Sequence, residues 1–318
     1  MVNFRFHLVS LTAVFFALAL GVTVGATVLE RTTVDTLESQ VNRVAKRADE
    51  TDRLNAALRA EVDLRDAFAE QLGDRLVEGR LVDVPVVLLG VEGVDPAALD
   101  GLRTTLTVAG ARIDAVVVFR QKIMLDEEGD ATQLAELLES TATRPGTLRR
   151  QLFSALSTSW MTGTAHDLLE LLNTGGFVGY EPLDPSGDDT TTTELLPAQP
   201  VEPAPELRFV LISDDGVEVP NDDLAVPLLE ELARGGERLV LAAEPGEADE
   251  EGVFRAEFVS ELRTRQSLAG LISTIDNVGT FIGRTAAVLA VADLGSGRLG
   301  HYGRGRGAET LVPPSPAE

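Results

Sequence analysis

Cysteine is absent from the 318 residues, and histidine, methionine, tyrosine and tryptophan number only three, three, two and one. The lack of cysteine excludes disulfide staples, thiolate metal sites and cysteine nucleophiles together, and it is compatible with either side of a membrane. Few imidazole or thioether ligands remain. Met124, Met161, His166 and His301 are too scattered along the chain to define a transition-metal site by spacing. No H-E-x-x-H, nucleophile elbow or P-loop occurs, so no catalytic residues are assigned and the chain reads as a non-enzyme. Gly90-Val-Glu-Gly93 follows an apolar run but lacks the full dinucleotide fingerprint, and no cofactor-binding residues are assigned there. Basic charge is short too, with 27 Lys and Arg against 51 Asp and Glu, a formal net charge of −24. Between Glu181 and Glu257 there are 21 acidic residues and 4 basic ones. A face of that sign repels phosphate backbones, which argues against nucleic acid as a partner and for a solvated surface.

What the sequence does have begins at its amino terminus. Leu8 to Leu29 is a run of 22 residues with no charge. At about 1.5 Å per residue it spans a hydrocarbon core of roughly 30 Å. A cleaved signal peptide is the rival reading, with Val24 and Ala26 resembling a cleavage site. The run exceeds the usual h-region of about 7–15 residues, which favours an uncleaved, single-pass anchor in contact with lipid. Counting Lys and Arg on either side gives only a weak bias, and a short tail inside with an extracytoplasmic body is the simpler topology. Ala17, Gly21 and Gly25 recur every four residues on one face, the spacing at which small residues let two helices approach closely.

From Val34 to Leu76 there is no proline, and Gly73 is the lone glycine. A heptad frame fits this stretch. Its a positions are Val34, Val41, Ala48, Asn55, Val62, Ala69 and Leu76, and its d positions are Leu37, Val44, Thr51, Leu58, Arg65 and Leu72. Asn55 at a is the kind of buried polar residue that fixes register in parallel dimers, while Leu58 and Val62 continue the apolar seam. Arg47 at g attracts Asp52 at the next e across a dimer; Thr51, Arg65 and the Glu61–Asp66 pair stand against the frame. The expectation is a coiled-coil stalk over 31–78, as a parallel homodimer or bound to a partner's helix. A single helix packed on its own domain is the alternative.

Beyond the stalk the period changes. Val84–Gly90 reads as a buried strand, Asp95-Pro96 as a helix start, Gly110 as its stop, and Ile113–Phe119 as a second buried strand, which together make a βαβ unit. Helical patterns follow near 130–140, 147–160 and 165–172, then a strand near 177–181. Residues 184–206, rich in Pro, Thr and acid, read as an exposed loop. The theme returns with a strand at 207–213, a helix at 222–234 stopped by Gly235-Gly236, and a strand at 237–243. Thr285–Val291 is apolar enough for a strand or a buried helix start. The fold class is therefore α/β: a transmembrane anchor (1–30), a coiled-coil stalk (31–78), a mostly parallel α/β sheet domain (81–310) and a disordered tail (311–318).

Gly295 to Gly307, GSGRLGHYGRGRG, is the most unusual local composition after the anchor. Arg298, His301, Tyr302, Arg304 and Arg306 make it a candidate loop for an anion or a partner carboxylate; the bland alternative is a glycine-rich closing loop. Ser273–Asn277 reads as a polar turn beside it, with Asp276 expected to pair with Arg284 or an arginine of the loop.

The two ends carry a family resemblance. FHLVSLTAVFFALALGVTVGATVLE (6–30) and STIDNVGTFIGRTAAVLAVADLGSGRLGHYGRGRGAE (273–309) resemble the actinobacterial MctB-type copper transporter family, with the coil and α/β body lying between them as in that family. The resemblance implies a membrane protein of copper efflux and copper homeostasis in the cell envelope, placed in the outer membrane, with copper as the transported ion. His301 is the weak metal candidate; where the family's mycobacterial form has a second histidine in the HYG loop, this chain has Arg306. A SteB-like relative implies the alternative, a coiled-coil envelope-assembly or division partner of a SteA-like protein with no transport of its own. A single apolar helix and an α/β body do not make a closed transmembrane barrel, so any transport requires oligomerisation or partners.

Overall fold

A computed structural model describes residues 3–182, 207–234, 240–248 and 254–314; the side chains of 3, 26–39, 63, 66, 69–71, 74 and 247–248 are outside that description. The expected loop at 184–206, the Gly235-Gly236 stop and the tail from 315 lie outside it as well. By its contacts the chain divides into Met1–Ala67 and Phe68–Glu318.

The first unit is built from helix α1 (Asn3–Val77), whose last turns from Phe68 belong to the second unit. No proline interrupts it, so every backbone donor after the first turn finds its i−4 carbonyl. Phe4–Gly25 is long and apolar enough to cross a membrane, with a mean hydropathy of 2.2 and none of it buried against protein. This span starts four residues before the expected Leu8, because the helix takes in Phe4 and Phe6 and tolerates Arg5 near its end. Within it, the hydroxyls of Thr12 and Thr23 donate to the carbonyls of Leu8 (2.6 Å) and Ala19 (2.7 Å), so neither is left unpaired in lipid.

The second unit carries a seven-stranded sheet. Its strands are β1 (Pro85–Val91), β2 (Arg112–Phe119), β3 (Val178–Pro182), β4 (Arg208–Ile212), β5 (Val240–Ala243), β8 (Ser273–Ile275) and β9 (His301–Tyr302), in the order β3-β2-β1-β4-β5-β8-β9. A separate antiparallel pair, β6 (Glu247–Ala248) and β7 (Phe254–Arg255), lies between β5 and β8 in sequence. All neighbours in the main sheet run parallel except β2 and β3. β1 is buried along its whole length, as a central strand covered on both faces must be.

The helices are α2 (Pro96–Val108), α3 (Asp130–Leu137), α4 (Pro145–Thr162), α5 (Ala165–Thr174), α6 (Ala225–Arg234), α7 (Glu257–Thr264) and α8 (Phe281–Leu294). The chain moves one way from β1 to β2 and the other way from β4 to β5. Right-handed crossovers then put α2 and α6 on opposite faces, giving a doubly wound sheet. α2 packs with α8, and α4 with α5 and α6. Asp95 caps α2 by accepting from Ala97 N–H at 2.9 Å, and Pro96 supplies the preset first-turn φ. Edge-to-face contact of Trp160 on α4 with Phe209 on β4, centroids 5.0 Å apart, fastens α4 to the sheet.

Two local expectations change. Ser273–Asn277 is no mere polar turn: its first three residues are strand β8, whose Ser273 and Thr274 side chains are buried. Thr285–Val291 resolves as the interior of helix α8, which is apolar nearly all round because it is covered on several sides.

Candidate functional site

Each inner parallel strand hands over to a polar residue at its carboxyl end: Glu92 after β1, Ser213 after β4, Glu244 after β5 and Asp276 after β8. In open α/β sheets this edge is where ligands bind, at the point where strand order reverses, here between β1 and β4. That point is occupied by the chain itself. Glu218 N–H donates to Glu92 O at 2.9 Å, and a Cβ on Gly93 (φ +104°) would sit 2.9 Å from Glu218 N. The Gly90–Gly93 run serves close backbone packing.

The polar centre of the edge lies at β8 and β9. Asp276 is fully buried, and its carboxylate accepts three hydrogen bonds from two segments. Arg263 Nη1 on α7 donates to Oδ2 at 2.7 Å, and the loop amides of Arg304 and Gly305 donate to Oδ1 (2.7 Å) and Oδ2 (2.8 Å). Arg263 is itself buried and reaches further, to Tyr302 O (2.7 Å), Arg306 O (3.0 Å) and Thr274 Oγ1 (2.9 Å). One carboxylate and one guanidinium therefore hold the Gly-rich loop through its backbone. The loop needs its glycines for this: Gly303 has φ +125°, and a Cβ there would overlap the Asp276 carboxylate.

This corrects the expected partner of Asp276. Arg284 instead donates to Gly279 O at 3.1 Å and lies against Gly101 on α2. The loop arginines contribute amide and carbonyl groups, with side chains elsewhere: Arg304 stacks over the Phe254 ring at 5.0 Å, Arg298 pairs with Asp293, and Arg306 is exposed. Tyr302 is buried on β9.

His301 lies in the same network. Its Nε2 is 3.1 Å from Ala269 O, an acceptor, so Nε2 carries the proton. Nδ1 then accepts from Thr274 Oγ1 at 3.0 Å, and that hydroxyl in turn accepts from Arg263. Burial and the nearby Arg263 guanidinium lower the imidazole's pKa and keep the ring neutral. Both ring nitrogens are thus engaged, Nδ1 with β8 and Nε2 with the turn that precedes it. A metal at either would have to break one of those bonds. Among the described residues, no group of three or more His, Asp or Glu side chains is placed to hold a metal ion.

Sequence reasoning passed over two residues of this edge. Arg263 was hidden in a short helix; its signal is the apolar spacing of Phe258, Val259 and Leu262 around it. Glu244 looked like one acid among many, yet it directly follows the apolar strand β5. It is buried, and its Oε2 accepts from Val259 N–H at 2.8 Å, capping α7, whose own N-cap residue Ala256 has no side-chain bond. Burial, helped by Asp215 and Asp214, pushes its pKa up to about 8.

The proposed dimer residues all lie on α1. Gly21 and Gly25 have open space where a Cβ would project. Ala17, Asn55, Leu58 and Val62 are exposed, Leu58 and Val62 to 62% and 52%.

Residues 1–313 match the family described as copper transport outer membrane protein, MctB. The chain belongs to that family. Relatives named copper transporter MctB from Mycobacterium tuberculosis and Mycobacterium bovis are each 28% identical over 339 residues, covering 98% of this chain and 99% of theirs. The Mycobacterium leprae protein of the same name is 25% identical over 331 residues, covering 99% and 100%. Likeness thus runs through the anchor, α1 and the sheet body alike. With the apolar helix, it marks this member of the MctB family as membrane-associated.

Proposed function

We propose that the chain is a membrane-anchored component of copper efflux and copper homeostasis in the cell envelope. The observation that carries this reading is the family match from residue 1 to residue 313, with relatives named as copper transporters over essentially their whole length. The body is extracytoplasmic in this reading, and the family's description supports placement in the outer membrane. One helix has no lumen, so an ion path needs several copies or other proteins. Assembly begins in α1: the Ala17/Gly21/Gly25 face packs helix on helix in lipid, and a heptad seam through Asn55, Leu58 and Val62 continues it in water as a parallel coiled coil. Each Leu or Val buried at such a seam contributes about 1.5–3 kcal/mol, enough for a few heptads to hold a dimer. The sheet body acts as a folded module without catalysis, and the Arg304/Arg306 side of its closing loop offers cations to a partner's carboxylates.

Growth of a deletion strain in graded copper tests this. The strain is expected to be copper-sensitive and to be rescued by the full chain. Unchanged copper tolerance together with a division or envelope defect would favour the second reading, a SteB-like assembly partner of a SteA-like protein. The observation on its side is the exposed apolar stripe of α1, with Val41, Val44, Leu58 and Val62 all open to solvent.

A further inference from the structure

A second histidine lies far from the β8–β9 edge, on α5, in a setting unlike that of His301. We propose that His166 Nε2 and the Glu170 carboxylate form a chelate for a divalent transition-metal ion, copper(II) in this protein, with Tyr180 holding the imidazole in position. The choice of copper among such ions rests on the function proposed above; the chelate rests on geometry.

His166 and Glu170 are four residues apart on α5 and share a face. Nε2 and Glu170 Oε2 are 3.7 Å apart, too far for a good N–H···O bond. Two donors each about 2.0–2.1 Å from one ion stand roughly 2.9 Å apart when cis and about 4.1 Å when trans; the observed gap lies between the two, and rotation of the exposed Glu170 side chain closes it to the cis spacing without moving the backbone. The other nitrogen is already engaged: Nδ1 is 2.7 Å from Tyr180 Oη on the edge strand β3. When Nε2 gives up its proton to bind metal, the neutral ring keeps its proton on Nδ1 and donates it to that oxygen. This is the outer-shell bond that metal-ligating histidines regularly make. The His166 side chain is 16% exposed and that of Glu170 67%, leaving the ion's remaining positions open to water. One imidazole and one carboxylate suit the oxidised, harder copper ion, and copper(II) stands at the top of the divalent affinity order.

The test is copper(II) titration of the full-length protein in detergent, followed by electron paramagnetic resonance against a competing chelator. The wild type is expected to bind one equivalent with single-nitrogen coupling. H166Q should abolish that signal, E170Q should weaken binding about tenfold, and Y180F should weaken it about 10- to 100-fold. H301Q should leave it unchanged. Glu170 is exposed, so E170Q tests the site with the fold intact. Copper binding by H166Q and E170Q equal to wild type would overturn the proposal. Loss of binding in these variants alongside normal copper tolerance of the deletion strain would uphold the chelate and overturn the efflux reading.

Discussion

Replacing Asp276 by Asn removes the charge at the centre of the β8–β9 edge and leaves its shape. In the wild type the carboxylate is fully buried, as is Arg263, 2.7 Å away, and the carboxylate also accepts the amides of Arg304 and Gly305. The amide side chain keeps one acceptor oxygen and turns an NH2 group toward donors, so one loop amide and the guanidinium lose their partner. Breaking a buried pair from one side costs about 3–5 kcal/mol, because the remaining charge is uncompensated. For a body of this size each kcal/mol is about 2–4 °C, so the melting temperature should fall by about 6–20 °C. The chain has a single tryptophan, Trp160, buried on α4, so its fluorescence follows the sheet body alone. Hydrogen exchange at Arg304 and Gly305 gives the local readout. A double variant with R263M should be less destabilised than the sum of the singles, since both belong to one network. A D276N melt within about 2 °C of wild type, with both amides still protected, would refute the claim that this ion pair holds the closing loop.

Four further outcomes are expected. Gly303→Ala, at φ +125° and against the Asp276 carboxylate, should destabilise the body by a comparable amount in the same melts. Glu244 has a folded pKa near 8 against an ordinary 4.5, so the native state binds the extra proton between those values and stability should fall as pH rises from 4.5 to 8. E244Q, which mimics the protonated acid, should flatten that part of the profile; an unchanged slope would contradict the assignment. Gly73→Ala should displace the Phe281 ring, which occupies the place of a Cβ at that position, and lower the melting temperature of the body. Asn55→Cys in this cysteine-free chain should give a disulfide-linked dimer on mild oxidation in membranes, and failure to crosslink would count against the parallel seam.

How much of this was legible in the sequence depends on how local the signal was. β1, α2 and β2 announce themselves through a continuous apolar run, an Asp-Pro helix start and a glycine stop, all encoded within neighbouring residues. β8 and β9 do not. They are three and two residues long, and β8 buries hydroxyls that are satisfied only by partners remote in sequence: Arg263 for Thr274, and Gly300 N–H for Ser273. Asp276 stands out in the sequence as an acid to be paired with an arginine, while its burial and its partner Arg263 were missed because α7 is short and a buried arginine runs against the usual preference of that residue. His301 drew notice as the histidine in the odd loop, yet its position between Thr274 and Ala269 gives it a structural task. His166 gave no hint, because Tyr180 joins it only once β3 has folded back beside α5.

The most direct measurement of the central claim is cell-associated copper in a deletion strain, by mass spectrometry, with and without the full-length chain restored. Copper should accumulate in the deletion strain and return to the parental level on complementation. Equal copper in parent, deletion and complemented cells would contradict a role in copper efflux.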